Sequence, residues 1–158
     1  MNNQIILKDT TLCYIEKDGA YLMMHRVKKK NDMNKDKYVG IGGKLEENET
    51  PFDCALREIK EEAGITPINL LYRGIVTFVS NVYGTEKMHL FTASDFVGEI
   101  NKTCNEGELV WIKKKDVYSL PIWEGDKIFF ELLEKEERFF SLKLCYEGDK
   151  LVSHELEY

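Results

Sequence analysis

Glu58, Glu61 and Glu62 stand at i, i+3 and i+4 in the run Arg57-Glu58-Ile59-Lys60-Glu61-Glu62. On a helix that spacing gathers three carboxylates on one side within a single turn. Like charges so placed destabilise a helix by about 0.2–0.5 kcal/mol per pair, and acids suit the last turn poorly because the helix dipole favours cations there. Such a cluster is either a solvated acidic face, with Arg57 pairing to Glu61, or a set of hard oxygen ligands. A divalent ion such as Mg²⁺ takes carboxylate oxygens and completes its shell with water and substrate phosphate. Gly40, Gly42 and Gly43 lie just upstream. They can bring bare backbone to the same point, offering carbonyls to a metal or amides to a phosphate.

The segment that must position these acids has clear boundaries. Thr50 is a good N-cap, Pro51 suits the first helical position, and Asp53 completes a capping box three residues after Thr50. Gly64 can close the helix in a left-handed conformation. Phe52, Ala55, Leu56, Ile59 and Ala63 recur at helical spacing and form its expected apolar face.

The stretch from Gly43 to Ile65 fits the pattern G-x5-E-x7-R-E-U-x-E-E-x-G-U, where U is a bulky apolar residue. The matching residues are Gly43, Glu49, Arg57, Glu58, Ile59, Glu61, Glu62, Gly64 and Ile65. Nine constrained positions at fixed spacing make this far more specific than a lone glycine motif. It resembles the Nudix box, the signature of the Nudix hydrolases. The resemblance implies an α+β fold, an α/β/α sandwich with a mixed β-sheet flanked by helices. It also implies hydrolysis of a diphosphate linked to another group, with Mg²⁺ or Mn²⁺ as cofactor.

Length and composition agree with one such domain over residues 1–158. The formal net charge of −6 argues against a nucleic-acid polymer as partner but not against a nucleotide, whose phosphates can be met by metal and a few local cations. No stretch reads as a signal peptide or a membrane span. Cys13, Cys54, Cys104 and Cys145 form no CxxC pair and read as reduced thiols. A cytoplasmic protein without membrane contact, monomeric or homodimeric, is the expectation.

Periodicity supplies the remaining elements. Residues 10–17 and 21–27 read as a hairpin around Lys17-Asp18-Gly19, followed by a polar loop over 28–37 carrying Lys28, Lys29, Lys30, Lys35 and Lys37. That loop is either solvated surface or a source of phosphate contacts, from Arg26 or one of its lysines. Residues 68–79, 87–96 and 108–113 read as strands, 123–137 as a helix, and 139–147 with 150–157 as a terminal hairpin.

By position in the box, the resemblance makes Glu58, Glu61 and Glu62 metal ligands, with the Gly42 carbonyl a further one. Arg57 and Glu49 become an orienting pair, and Lys44 faces either solvent or phosphate. Many Nudix enzymes draw one more carboxylate from a loop outside the box, as ligand or general base. Here Glu106, in Asn105-Glu106-Gly107-Glu108, is the first choice and Glu108 the second. Glu58, Glu61, Glu106 and Arg57 therefore form the expected catalytic set.

The second half resembles the MutT-like branch that includes the oxidised purine nucleoside triphosphatases. There an aromatic residue stacks on the base and an aspartate after a W-x-x-D spacing reads its edge. Trp123 and Asp126 occupy those positions, and Phe78 can line the same pocket. The chain departs from the animal members of that branch by carrying Val39 in place of an asparagine and Gly125 in place of an acid. Both changes remove polar contacts and suggest a broader nucleotide range. The expected activity is cleavage of a nucleoside triphosphate, 8-oxo-dGTP or a related purine nucleotide, to monophosphate and pyrophosphate. The alternatives are another Nudix substrate (a nucleotide sugar, a dinucleoside polyphosphate or a capped RNA end) or a non-catalytic nucleotide-sensing module.

Overall fold

A computed structural model describes residues 7–28, 32–102, 104 and 106–158. Lys29, Lys30 and Asn105, named above, lie outside these. An eight-stranded mixed sheet runs through the molecule. Strand β1 (Leu7–Lys17) turns through Asp18 and Gly19, both at positive φ, into β2 (Ala20–His25). Across β2 lie β3 (Tyr38–Val39) on one edge and β8 (Glu108–Lys113) on the other. On its far side β1 pairs in parallel with β6 (Gly84–Ala93). The sheet then continues through β5 (Leu71–Ser80), β9 (Phe140–Glu147) and β10 (Lys150–Glu157).

Side-chain alternation along the strands divides the core into two layers. Cys13, Ile15, Leu22, Met24 and Phe91 face helix α1 (Pro51–Ala63) through Ala55, Ile59 and Ala63. Tyr14, Met23, Leu90, Val76 and Phe140 face helix α2 (Asp126–Lys135) through Phe129, Phe130 and Leu133. Helices on both faces of a mixed sheet are the expected α/β/α arrangement.

Several boundaries differ from periodicity. The stretch 68–79 divides, because Asn69 takes a positive φ and diverts β4 (Thr66–Ile68) into a separate two-stranded ribbon with β7 (Asp95–Val97). The second helix begins at Asp126 rather than Trp123, because Ile122 and Trp123 are buried in the turn that precedes it. Its end is fixed by the Arg73 guanidinium, which donates to the carbonyls of Leu133 and Glu136 at 3.1 and 2.9 Å. On α1 the buried face holds Cys54 and Glu62, while Phe52 is about half exposed at the first turn. The box helix therefore turns an acid, not a phenylalanine, toward the protein.

Candidate active site

The glycine loop leaves β3 and runs antiparallel along β1. Ile41 exchanges both backbone hydrogen bonds with Cys13, and the Gly43 carbonyl accepts from the Thr11 amide. In an extended ladder this alternation turns the intervening Gly42 carbonyl away from β1. A Cβ on Gly42 would lie 1.8 Å from the Thr11 carbonyl oxygen, and one on Gly43 would lie 2.5 Å from the Glu58 carboxylate. The glycines are thus the condition for β1, the loop and the box helix to meet.

Thr50 caps α1 by accepting from the Asp53 amide, and Asp53 accepts in return from the Thr50 amide. Gly64 ends the helix at a φ of 75°. Arg57 is the hub of the acidic side. Its Nε and Nη2 donate to the two oxygens of Glu49 at 2.7 and 2.9 Å, and Nη2 also donates to the Lys44 carbonyl. Nη1 donates to Glu58 at 2.7 Å and to Glu61 at 3.3 Å. These hydrogen bonds hold the Glu49 carboxyl down to about 2. Lys44 itself is exposed.

Glu62 is the exception on the polar side. It is 8% exposed, and its Oε2 has no hydrogen-bond partner among the described residues. Burial first, then the neighbouring Glu106 and Glu58 carboxyls, push its acid well above the usual range. A buried carboxyl facing two others, with an oxygen left over, has the donor chemistry of a hard-cation site. The side chains are not already gathered around one point, because Arg57 holds Glu58 and Glu61 toward itself. The donor set still fits a divalent cation: four carboxyls from one helix turn and one loop, beside a backbone carbonyl. Glu106 is brought there by Gly107, where a Cβ would lie 2.1 Å from the His25 carbonyl oxygen, so its segment packs directly on the end of β2. Glu108 opens β8 and is exposed.

A pocket extends from the glycine loop to the start of α2. Gly42 and Gly43 line one end, and Phe78, Trp123 and Asp126 the other, with Arg26 also on the wall. Trp123 meets Phe78 and Tyr146 edge-on at 5.2 and 5.1 Å between ring centroids. Lys37 lies 4.6 Å over its indole. Asp126 is buried, and desolvation lifts its carboxyl to about 8 against the lowering influence of Lys37. At neutral pH it is mainly a carboxylic acid, able to donate as well as accept. Gly125 has no space for a side chain: a Cβ would lie 2.5 Å from Leu144 and 2.8 Å from the Tyr146 hydroxyl, which accepts from the Gly125 amide. The acid absent at this position is thus replaced by tyrosine packing.

Arg26 is not an open cation. Its Nε donates to Asp32 at 2.6 Å and its Nη1 to Glu106 at 3.1 Å. Among the described loop lysines, the Lys37 ammonium lies over a pocket residue, Trp123, whereas that of Lys28 donates to the Cys104 carbonyl. Asn34, which lines the pocket, and Tyr146, which packs on Trp123, were not legible in the sequence, and Lys37 meets the Trp123 ring rather than standing only as a candidate phosphate cation. The one local signal for Asn34 is the Asp32-Met33-Asn34 turn, in which the aspartate side chain accepts from the amide two residues on.

Comparison with known proteins decides the family. A family model of the NUDIX domain matches residues 7–133. The chain belongs to the Nudix family. Among curated relatives, the uncharacterized Nudix hydrolase YvcI of Bacillus subtilis (strain 168) is 26% identical over 96% of this chain and 95% of its own. The oxidized purine nucleoside triphosphate hydrolase of Danio rerio is 30% identical over 82% of this chain and 83% of its own. A crystal structure of a mutator MutT protein from Bacillus halodurans superimposes with a TM-score of 0.83 at 30% identity, covering 95% of this chain and 97% of that one. This Nudix hydrolase is therefore a pyrophosphohydrolase of a class that acts on small nucleotide substrates and generally uses divalent metal ions. No helix among its described residues is long and apolar enough to cross a membrane.

Proposed function

We propose that this Nudix hydrolase cleaves nucleoside triphosphates, oxidised purine nucleotides such as 8-oxo-dGTP among them, to nucleoside monophosphate and pyrophosphate with Mg²⁺, for which Mn²⁺ can substitute. The observation that supports this most is the continuity of one pocket. An aromatic residue and a buried acid, Trp123 and Asp126, stand at one end, and the glycine loop beside the carboxyl cluster at the other.

Glu58, Glu61, Glu62 and Glu106, with the Gly42 carbonyl, would hold the metal. When bound, it neutralises polyphosphate charge and lowers the barrier to attack by water. The chain's own residues do the rest. Arg57, locked to Glu49, fixes the direction from which Glu58 and Glu61 approach. Thr11 and the glycine backbone shape the wall along which the phosphates lie. As water attacks a phosphorus of the chain, the bridging P–O bond between the monophosphate and the pyrophosphate breaks. The water's proton passes to the cluster of carboxylates made by Glu106 and its neighbours, which titrate as a coupled unit. Arg26 acts on substrate through Glu106, which it contacts, and through its place on the pocket wall.

At the other end, Trp123 supplies an aromatic surface and Phe78 holds it edge-on. Asp126 as a neutral acid can donate to one purine-edge acceptor and accept from a neighbouring donor. Val39 and Gly125 offer the base no polar side chain, which supports a nucleotide range wider than one oxidised purine.

The test is a panel of nucleoside triphosphates, nucleotide sugars, dinucleoside polyphosphates and capped RNA with Mg²⁺, with products identified by mass. Preference for triphosphates with release of pyrophosphate is expected. A strong preference for another class would overturn the substrate assignment. Saturable binding without product, under Mg²⁺ or Mn²⁺, would instead indicate a sensing module.

A further inference from the structure

A line of side chains runs from Glu106, in the carboxyl cluster, through Arg26 and Asn34 on the pocket wall to Trp123. Glu106 Oε2 accepts from Arg26 Nη1 at 3.1 Å, and Arg26 Nε donates to Asp32 Oδ2 at 2.6 Å. The other oxygen of Asp32 accepts from the Asn34 amide at 3.0 Å, and the Asn34 side-chain oxygen accepts from the Trp123 indole Nε1 at 2.6 Å.

We infer that Asp32 is a positioning residue that ties Glu106 to Trp123, so that the nucleoside end and the reactive end of the pocket are set as one unit. The inference rests on the reading of this pocket as a nucleotide site. Three observations carry it. The Asp32 side chain is only 7% exposed and that of Arg26 16%, so the ion pair is shielded from water, where such hydrogen bonds are short and directional. Asp32 divides its two oxygens between the two arms, so one carboxylate orients both. The loop is also closed onto β2: the Arg26 amide donates to the Lys37 carbonyl at 2.9 Å, and the Asp36 amide to the Arg26 carbonyl at 2.7 Å. Asn34 and Lys37 therefore present themselves to Trp123 from a fixed turn.

The chemical consequence concerns substrate choice. A base that stacks well on Trp123 stabilises the Asn34 acceptor, and through Asp32 and Arg26 the orientation of Glu106. Nucleotides that fill the far end poorly leave Glu106 less well aimed. Discrimination would then appear in turnover as well as in binding, a pattern expected when remote contacts set reacting geometry.

The decisive experiment needs no substrate. The two tryptophans give two indole ¹H–¹⁵N resonances, and Trp111→Phe assigns them. Glu106→Gln is expected to displace the Trp123 resonance in the otherwise native chain. In an Asp32→Ala background the same substitution should leave it where Asp32→Ala alone puts it. Equal displacement with and without Asp32, or none in either, would overturn the inference. Should Asp32→Ala not fold, Asp32→Asn serves, since it keeps the acceptor toward Asn34 while weakening the ion pair to Arg26.

Kinetics provide the second arm. Asp32→Asn should lower kcat by roughly tenfold, as misplacement of a positioned group does, with a smaller change in KM. Asn34→Ala should act mainly on KM. A purely structural loop would change both parameters together in both variants, and that result would count against the inference. Failure of the wild-type chain to hydrolyse any nucleotide would sink the proposed function while leaving the resonance experiment able to decide this one.

Discussion

Arg57 grips Glu49 with two parallel hydrogen bonds and, with its remaining nitrogen, reaches Glu58 one residue away on the same helix. A planar guanidinium makes this fork; an ammonium cannot. Arg57→Lys should therefore keep the charge and lose the orientation. We expect kcat/KM to fall about 10- to 100-fold, the range seen when groups that orient ligands are changed, with a modest loss of thermal stability. Steady-state kinetics beside a thermal melt would check it. Unaltered turnover would show that the fork has no part in the reaction.

The glycine loop gives two distinct expectations. At Gly42 a methyl would meet the Thr11 backbone, which cannot step aside, whereas at Gly43 it would meet the Glu58 side chain. Gly42→Ala should destabilise by about 1–3 kcal/mol, as overpacking does. Gly43→Ala should instead leave stability nearer native and lower turnover by displacing Glu58. Denaturant melts and rates on both variants separate the two effects, and identical behaviour would contradict the geometry.

Much of this arrangement was legible in the chain. Thr50, Pro51, Asp53 and Gly64 marked the box helix because capping is local chemistry, set by residues within a turn of one another. The Arg57–Glu49 pair was also legible, once the motif was placed beside the families that share it. What depended on distant packing was not. The exposure of Phe52 and the burial of Glu62 follow from how α1 lies on β1 and β6, which periodicity cannot supply. Asn34 meets Trp123 across 89 positions, and nothing near either residue announces the contact. Arg26 read as a phosphate cation because Asp32 and Glu106, its two partners, lie six and 80 positions away.

Asp126 gives a pH dependence with a definite sign. Its carboxyl titrates near 4 in an unfolded chain and at about 8 in the folded one, where burial favours the proton. The folded state therefore binds more protons between these values. The contribution of Asp126 to stability falls as pH rises from about 4 to about 8 and is constant above that. Asp126→Asn should remove the slope, so its advantage over wild type should grow by on the order of a few kcal/mol between pH 5 and 8. Urea melts across that range would show it. A parallel pH dependence in both proteins would mean that Asp126 is not protonated in the fold.

Glu62 offers a way to separate folding from function. Its carboxyl is buried, with no partner for Oε2 among the described residues, so a neutral amide of the same shape should not destabilise the metal-free protein. Glu62→Gln should melt at or above the wild-type temperature without metal while losing at least about a hundredfold in turnover. Added Mg²⁺ should raise the melting temperature of wild type and leave the variant unmoved, since only a ligand that binds the folded state stabilises it. Retained turnover in Glu62→Gln would exclude the residue as a ligand.

Cation binding at the cluster can be measured without any turnover. Wild-type protein titrated with Mn²⁺ in the presence of a non-hydrolysable nucleoside triphosphate analogue, followed by the paramagnetic signal of the free ion, should take up the metal saturably. Glu62→Gln and Glu61→Gln should each weaken that uptake by a hundredfold or so. Equal uptake by wild type and both variants, or none by wild type, would contradict a divalent-cation site built from these glutamates.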